Sequence, residues 1–221
     1  MQDVNIDESI IEKSQRAYEI FNILKKEYPD ARILLIYSNP FELLIATILS
    51  AQCTDERVNQ ITPKLFERFP NPEKLANADR KEVEEIIRPT GFFSNKAKNI
   101  IGVSKAIIEK FNGKVPENID DLTSLPGVGR KTANVVLSNC FNKPAIIVDT
   151  HLRRVSQRLG LTENKDPDKI EQDLNELIEE KDRTKFSHVI GFHGRFTCKA
   201  KKPDCGICKV HHLCPSAEKI S

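Results

Sequence analysis

Leu125-Pro-Gly-Val-Gly-Arg-Lys131-Thr-Ala133 places a lysine directly behind two glycines. Glycine allows the positive φ of a tight turn and the close approach of a foreign backbone, and a helix opening behind it points unpaired N–H groups outward. Such a turn holds an anion. If the anion is a DNA phosphate, Lys131 lies within reach of the adjoining sugar, and a lysine without its proton attacks carbon. An ordinary lysine, with a pKa near ~10.4, leaves only roughly a few molecules in ten thousand as free amine at neutral pH. Arg130 and the helix N-terminus disfavour the ammonium, and a carboxylate beside it can take the proton. Asp149, eighteen residues after Lys131, is the candidate for that carboxylate. It also stands where a helix from Thr150 needs its N-cap, and capping alone is enough to explain it. By itself the turn reads equally as a bend between two core helices.

A second cluster lies at the other end of the chain, in Cys198-x6-Cys205-x2-Cys208-x5-Cys214. Four thiols within 17 residues, on loops carrying Pro203, Gly206 and Pro215, converge on one metal centre without help from the rest of the fold. The spacing leaves zinc and iron–sulfur open, although one C-x2-C pair with long flanking gaps is less like a zinc ribbon. His211 and His212 read as surface or DNA-facing side chains and, less readily, as substitute ligands. Cys53 and Cys140 fall outside the set and read as packing residues.

The elements that must position these groups read as helices. Apolar spacing over 9–27, then a capping box with proline at the first helical position in Asn39-Pro40-Phe41-Glu42, open two helices. The second, through Leu49, is apolar nearly all round and belongs at the centre of a core. Thr54 or Asp55 caps a helix around 58–69, Asp79-x-x-Glu82 opens one to Ile87, and Ser94 caps a long one ending at Gly113. A short helix over 118–124, the glycine turn and a helix over 130–140 make a helix, hairpin and helix. Lys143–Val148 crosses over in extended form. Helices over 150–159, from Asp166, and through Phe186, Val189 and Ile190 lead into the cysteine loop. Ala31–Tyr37 is apolar but has no partner strand, so the fold is all-α.

Of 221 residues, 39% are apolar and 30% charged, and the formal charge is only +2. No apolar stretch is long enough for a membrane helix, and the acidic start Met1–Glu8 is unlike a signal peptide, which implies an intracellular protein. The charge is uneven. Residues 195–221 hold six bases against two acids, a surface able to meet phosphates.

Taken together, Leu125–Leu137, Val148-Asp-Thr-His151 and the cysteine spacing resemble the endonuclease III family of helix-hairpin-helix DNA glycosylases. The likeness runs from about residue 33 to Cys214. It includes Leu49-Ser-Ala-Gln-Cys-Thr-Asp55, Gly91-Phe-Phe-Ser-Asn-Lys96 and His193-Gly-Arg-Phe-Thr-Cys198. The resemblance implies two helical lobes with the active site in the cleft between them. One is a six-helix bundle over 33–143 with the helix-hairpin-helix at about 118–140. The other comprises 1–32 plus 144–221, with the cluster loop at 198–214.

It further implies a bifunctional DNA glycosylase and abasic-site lyase of base-excision repair, removing oxidised pyrimidines. The residue matching Lys131 displaces the base and forms a Schiff base, and the one matching Asp149 helps deprotonate it. A [4Fe-4S] cluster is held by Cys198, Cys205, Cys208 and Cys214. A duplex substrate must have its damaged nucleotide flipped out. The resemblance then puts Gln52 into the vacated stack, Phe92 (where leucine is common) as a wedge shared with Phe93, and Asp55 and His151 near the pocket. Gly127, Gly129 and Arg130 hold phosphate irrespective of base sequence. The implied partner is double-stranded DNA with a damaged base or abasic site, met by a monomer, in a nucleoid-associated cytoplasmic setting if the source is prokaryotic. The alternatives are a thymine or uracil mismatch glycosylase of the same superfamily, and a non-catalytic DNA-binding module held together by zinc.

Overall fold

Local capping chemistry fixes most helix starts. The computed structural model describes residues 8–220, with side chains to Glu218, so the acidic run Met1–Asp7 lies outside the described residues. Two compact units are present, one made of 1–32 and 144–221 and the other of 33–143. Helix α1 (Ile10–Glu27) opens on a reciprocal capping box between Ser9 and Glu12 and buries Ala17, Ile20, Phe21 and Leu24. Each of these apolar side chains adds roughly 1.5–3 kcal/mol when fully buried, alanine less.

In the unit 33–143, α2 (Pro40–Leu49) starts at Asn39, whose side chain accepts from the Glu42 amide. The reciprocal half of that cap goes to Ser38, whose N–H donates to Glu42 at 2.7 Å. Eight of the ten α2 residues are buried, which is what an all-round apolar sequence requires. Thr54, not Asp55, caps α3 (Asp55–Arg68). A short α4 (Pro72–Ala76), capped by Asn71, has no counterpart in the sequence reading, so this unit has seven α-helices among its described residues. Helix α5 (Arg80–Ile87) runs into a 3-10 turn at Arg88–Thr90.

The long helix α6 (Phe93–Phe111) corrects an expectation. It begins at Phe92 in the left-handed conformation and not at a Ser94 cap. The Ser94 hydroxyl instead accepts from Arg80 at 2.8 Å. Helix α7 (Ile119–Thr123), the turn Leu125–Gly129 and α8 (Arg130–Cys140) form the helix-hairpin-helix. Leu125 and Val128 are buried and moor the turn from beneath, while Ala133–Leu137 bury the rest of α8.

The other unit continues with α9 (Thr150–Arg158), α10 (Pro167–Leu177), α11 (Arg183–Phe196) and a terminal α12 (Ala217–Ile220). Asp149 and Asp166 cap α9 and α10 as their spacing predicts. The core joins Phe21 of α1 to Phe186 of α11, with ring centroids 5.7 Å apart, and reaches Val210 in the cysteine loop. No strand occurs among the described residues, in accord with the all-α reading.

Candidate active site

At the hairpin the two glycines do different work. Gly127 has φ +72°, and a Cβ there would stand 2.5 Å from the Asn99 side-chain nitrogen. Glycine is therefore required by the fold itself at 127. Gly129 is the N-cap of α8 with φ −93°, a backbone any residue adopts, and a Cβ there would meet nothing within 4 Å. Open space above a helix N-terminus leaves room for another molecule's backbone, and the first amides of α8 have no intrahelical partner. Arg130 and Lys131 follow as the first two residues of α8, both exposed.

Gln52 and Phe92 share an uncommon property. Both are non-glycine residues with positive φ, +53° and +47°, and both are exposed. Such a backbone costs on the order of 1–2 kcal/mol for a side-chain-bearing residue. The expense is a reason to look for function at these two places. Phe92 is 69% exposed and so is not a core residue. Phe93 is half-buried and stacks under Arg88, whose guanidinium carbon is 4.9 Å from the ring centroid. Gln52, Phe92 and Gly127 line one hollow of about 240 Å³ with Asn99, Thr132 and Lys96. The sequence reading brought the first three together but gave no role to Lys96, Asn99 or Thr132.

Asp149 caps α9 through Oδ1, which accepts from the Leu152 amide at 2.7 Å. The approach to it is held from α11: Thr184 accepts from the Ala145 amide at 3.2 Å and Ser187 from the Ile147 amide at 2.9 Å. His151 is half-buried, with Nδ1 3.4 Å from Arg154 Nη2.

The four loop cysteines are half-buried and wall one pocket with Leu159, His193 and Ala217. Burial pushes the thiols of Cys208 and Cys214 up, so loading with metal must displace protons. Among the described residues no three His, Cys, Asp or Glu side chains stand close enough to share one metal ion. Four thiols around one pocket are a donor set that fits an iron–sulfur cluster, whose sulfur ligands sit on different iron atoms. His211 and His212 are exposed. Two arginines of α9, unnoticed in the sequence, fasten this loop. Arg154 Nη2 donates to the carbonyls of Gly194 (2.6 Å) and Cys198 (3.0 Å), and Arg158 Nη1 to that of Lys199 (2.7 Å). Lys199 pairs with Asp204 at 2.9 Å, while Lys201, Lys202 and Lys209 are exposed. Cys140, at the end of α8, is half-buried and its thiol is pushed up to about 11 by burial.

Comparison with known proteins agrees with this chemistry. Residues 45–180 match the HhH-GPD superfamily of base excision DNA repair proteins, and residues 198–214 match the iron-sulfur binding domain of endonuclease III. The chain is 57% identical over 207 residues to endonuclease III of Synechocystis sp., covering 93% of this chain and 94% of that one. A trapped endonuclease III–DNA covalent intermediate superposes with a TM-score of 0.90 at 43% identity, covering 93% of this chain and 97% of that one. A thermostable thymine-DNA glycosylase superposes with a TM-score of 0.83 at 26% identity, covering 96% and 100%.

Proposed function

Because the chain belongs to the endonuclease III family of HhH-GPD base excision DNA repair proteins, we propose that Lys131 is its nucleophile and Asp149 the base that serves it. The protein is a DNA glycosylase and abasic-site lyase with a [4Fe-4S] cluster, and DNA is its partner. The observation that carries the residue assignment is the exposed Lys131 on the first turn of α8, directly behind the open Gly129.

Lys131 Nζ attacks C1′ of the damaged nucleotide as the bond from C1′ to the base breaks, and the base leaves. Opening of the sugar ring gives an iminium between Nζ and C1′. The iminium acidifies C2′–H, a base removes that proton, and the C3′–O bond breaks with the phosphate as leaving group. Asp149 takes the proton from the Lys131 ammonium before attack and balances positive charge developing on the sugar. One of its oxygens is occupied by the α9 amide, so the cap fixes the carboxylate's direction and the other oxygen remains for chemistry.

The substrate is a damaged base in duplex DNA, with oxidised pyrimidines as the preferred lesions. Flipping the nucleotide costs a few kcal/mol, offset by Gln52 and Phe92 filling the gap. Gly127, Gly129 and Arg130 take the phosphate, and His151 lies at the start of the helix that Asp149 caps. Cys198, Cys205, Cys208 and Cys214 hold the cluster, which cross-links the loop bearing Lys201, Lys202 and Lys209 and supplies no step of the bond chemistry. We read the protein as an intracellular monomer; no helix among the described residues is long and apolar enough to cross a membrane.

The test is borohydride reduction of the protein on duplex DNA containing an abasic site, which should give a covalent complex absent in Lys131→Ala. Equal trapping by Lys131→Ala would remove the nucleophile assignment. A panel of duplexes bearing oxidised pyrimidines, uracil or thymine opposite guanine then ranks the lesions, and a preference for the mismatches would overturn the substrate reading.

A further inference from the structure

Lys96, on the first turn of α6, is only 4% exposed and has no carboxylate among its hydrogen-bond partners. Its ammonium donates instead to two backbone carbonyls, that of Leu49 at 2.9 Å and that of Thr90 at 2.8 Å. A buried charge held by neutral acceptors is costly, and here burial lowers the lysine's pKa. An apolar side chain would fill the space more cheaply, so the amine needs a reason to be there.

The two acceptors supply one. Leu49 ends α2, and three residues later the chain reaches Gln52; Thr90 ends the 3-10 turn, and two residues later it reaches Phe92. These are the two exposed positive-φ residues that line the hollow, and Lys96 lines it with them. Gln52 and Phe92 belong to loops about forty residues apart in sequence, and a single ammonium is bonded to the root of each. The Lys96 amide adds a further bond to the Phe92 carbonyl at 3.1 Å.

We propose that Lys96 is a positioning residue for base extrusion: its ammonium yokes the loops of Gln52 and Phe92 so that both enter the duplex as one rigid pair. The proposal rests on the reading of those two residues as the elements that fill the vacated stack. Two loops held independently would each have to be ordered when DNA arrives, and that ordering would be subtracted from the binding free energy. A shared clamp makes the order in advance. It acts on extrusion alone, because Lys96 is not proposed to touch the sugar or the attacking amine.

The experiment compares the parent, Lys96→Met, Lys96→Arg, Phe92→Ala and Gln52→Ala, each with its iron content measured. One substrate is a lesion-bearing duplex; the other is a single-stranded abasic oligonucleotide, which needs no extrusion. Lys96→Met should lose at least tenfold in kcat/KM on the duplex and less than twofold in the borohydride trapping rate on the single strand. Amide hydrogen exchange should quicken in 50–54 and 90–95 together, and Lys96→Arg, which keeps donors near the carbonyls, should recover part of the duplex rate. Equal losses on both substrates, an unchanged duplex rate, or faster exchange in one loop only would overturn the proposal. If Lys96→Met does not fold, the same duplex-to-single-strand comparison on Lys96→Arg decides, with a selective duplex loss expected and equal rates or equal losses overturning it. Should Phe92→Ala and Gln52→Ala both match the parent on the duplex, the reading of the two loops fails, a result separate from failure of the yoke.

Discussion

Arg158 Nη1 lies 3.4 Å from Sγ of Cys198, and the same guanidinium donates to the carbonyls of Lys199 (2.7 Å) and Ala200 (3.1 Å). One planar cation thus reaches one of the four loop thiols and the two residues after it. A lysine cannot span three acceptors in that arrangement. Hydrogen bonds to charged groups contribute about 1.5–3 kcal/mol each, so Arg158→Ala should weaken cluster retention measurably. Loss of visible iron–sulfur absorbance in the presence of a chelator should quicken several-fold, with Arg158→Lys between the two. Identical decay for all three proteins would show that the guanidinium does not hold the loop.

The hairpin glycines give a pair of opposite outcomes. Gly127→Ala places a Cβ against Asn99 at positive φ and should cost on the order of 1–2 kcal/mol or more of folding stability. Gly129→Ala meets open space at ordinary φ, so its unfolding midpoint should stay within about 0.5 kcal/mol of the parent. Its DNA affinity should nevertheless fall, because the added methyl would enter the open space proposed to take the phosphate backbone. Denaturant unfolding and a salt titration of DNA binding separate the two. Normal DNA binding by Gly129→Ala would argue against that turn as a phosphate seat.

Asp149 combines a cap with a proposed base, and asparagine separates them. Asn is as good an N-cap as Asp, so Asp149→Asn should keep the stability of α9, whereas Asp149→Ala should lose roughly 1 kcal/mol. Both should lose on the order of 10²-fold or more in single-turnover base release, the usual scale for removing a general base. Full activity in Asp149→Asn would reduce Asp149 to its cap.

His188 sets a pH limit. Burial pushes its imidazole down to about 4, Lys185 adds to the effect, and Asp149 opposes it. In the unfolded chain the ring titrates near ~6.5. A folded-state pKa that is depressed contributes stability above the unfolded pKa. That contribution is lost as pH falls from 6.5 towards 4, because the unfolded chain takes up the proton first. Urea unfolding of the parent should therefore weaken across this window, and His188→Gln should show a shallower slope. Parallel curves would mean that His188 takes up its proton over the same pH range in the folded and the unfolded chain.

What could be read beforehand follows from how local each cause is. Asn39, Asp79, Asp149 and Asp166 announce helix starts because a cap bonds to amides two or three residues away. Gly129, Arg130 and Lys131 are equally legible, since turn and helix start are contiguous. Ser94 misled because its neighbour Phe92 takes a left-handed backbone that its residue type disfavours, and nothing in the string records that choice. Helix α4 is too short to show a period. Lys96, Arg154 and Arg158 were invisible for a third reason. Their partners are backbone carbonyls tens of residues or fewer away along paths only the fold supplies, in the case of Lys96 and Leu49 forty-seven residues. Carbonyls leave no mark in residue type. A buried lysine therefore looks, in sequence, like any other on a helix.

The unit that carries Asp149 and the four cysteines is assembled from both ends of the chain, 1–32 and 144–221, while 33–143 is continuous. During synthesis the continuous unit, with Lys131, has its whole sequence in hand long before Cys214 is made, and domains fold as units in that order. The first helix must wait, its apolar face unmatched, until α9 to α11 arrive. An unfinished chain thus owns the proposed nucleophile without its proposed base or the cysteine loop, and on that assignment strand opening waits for residues 144–214.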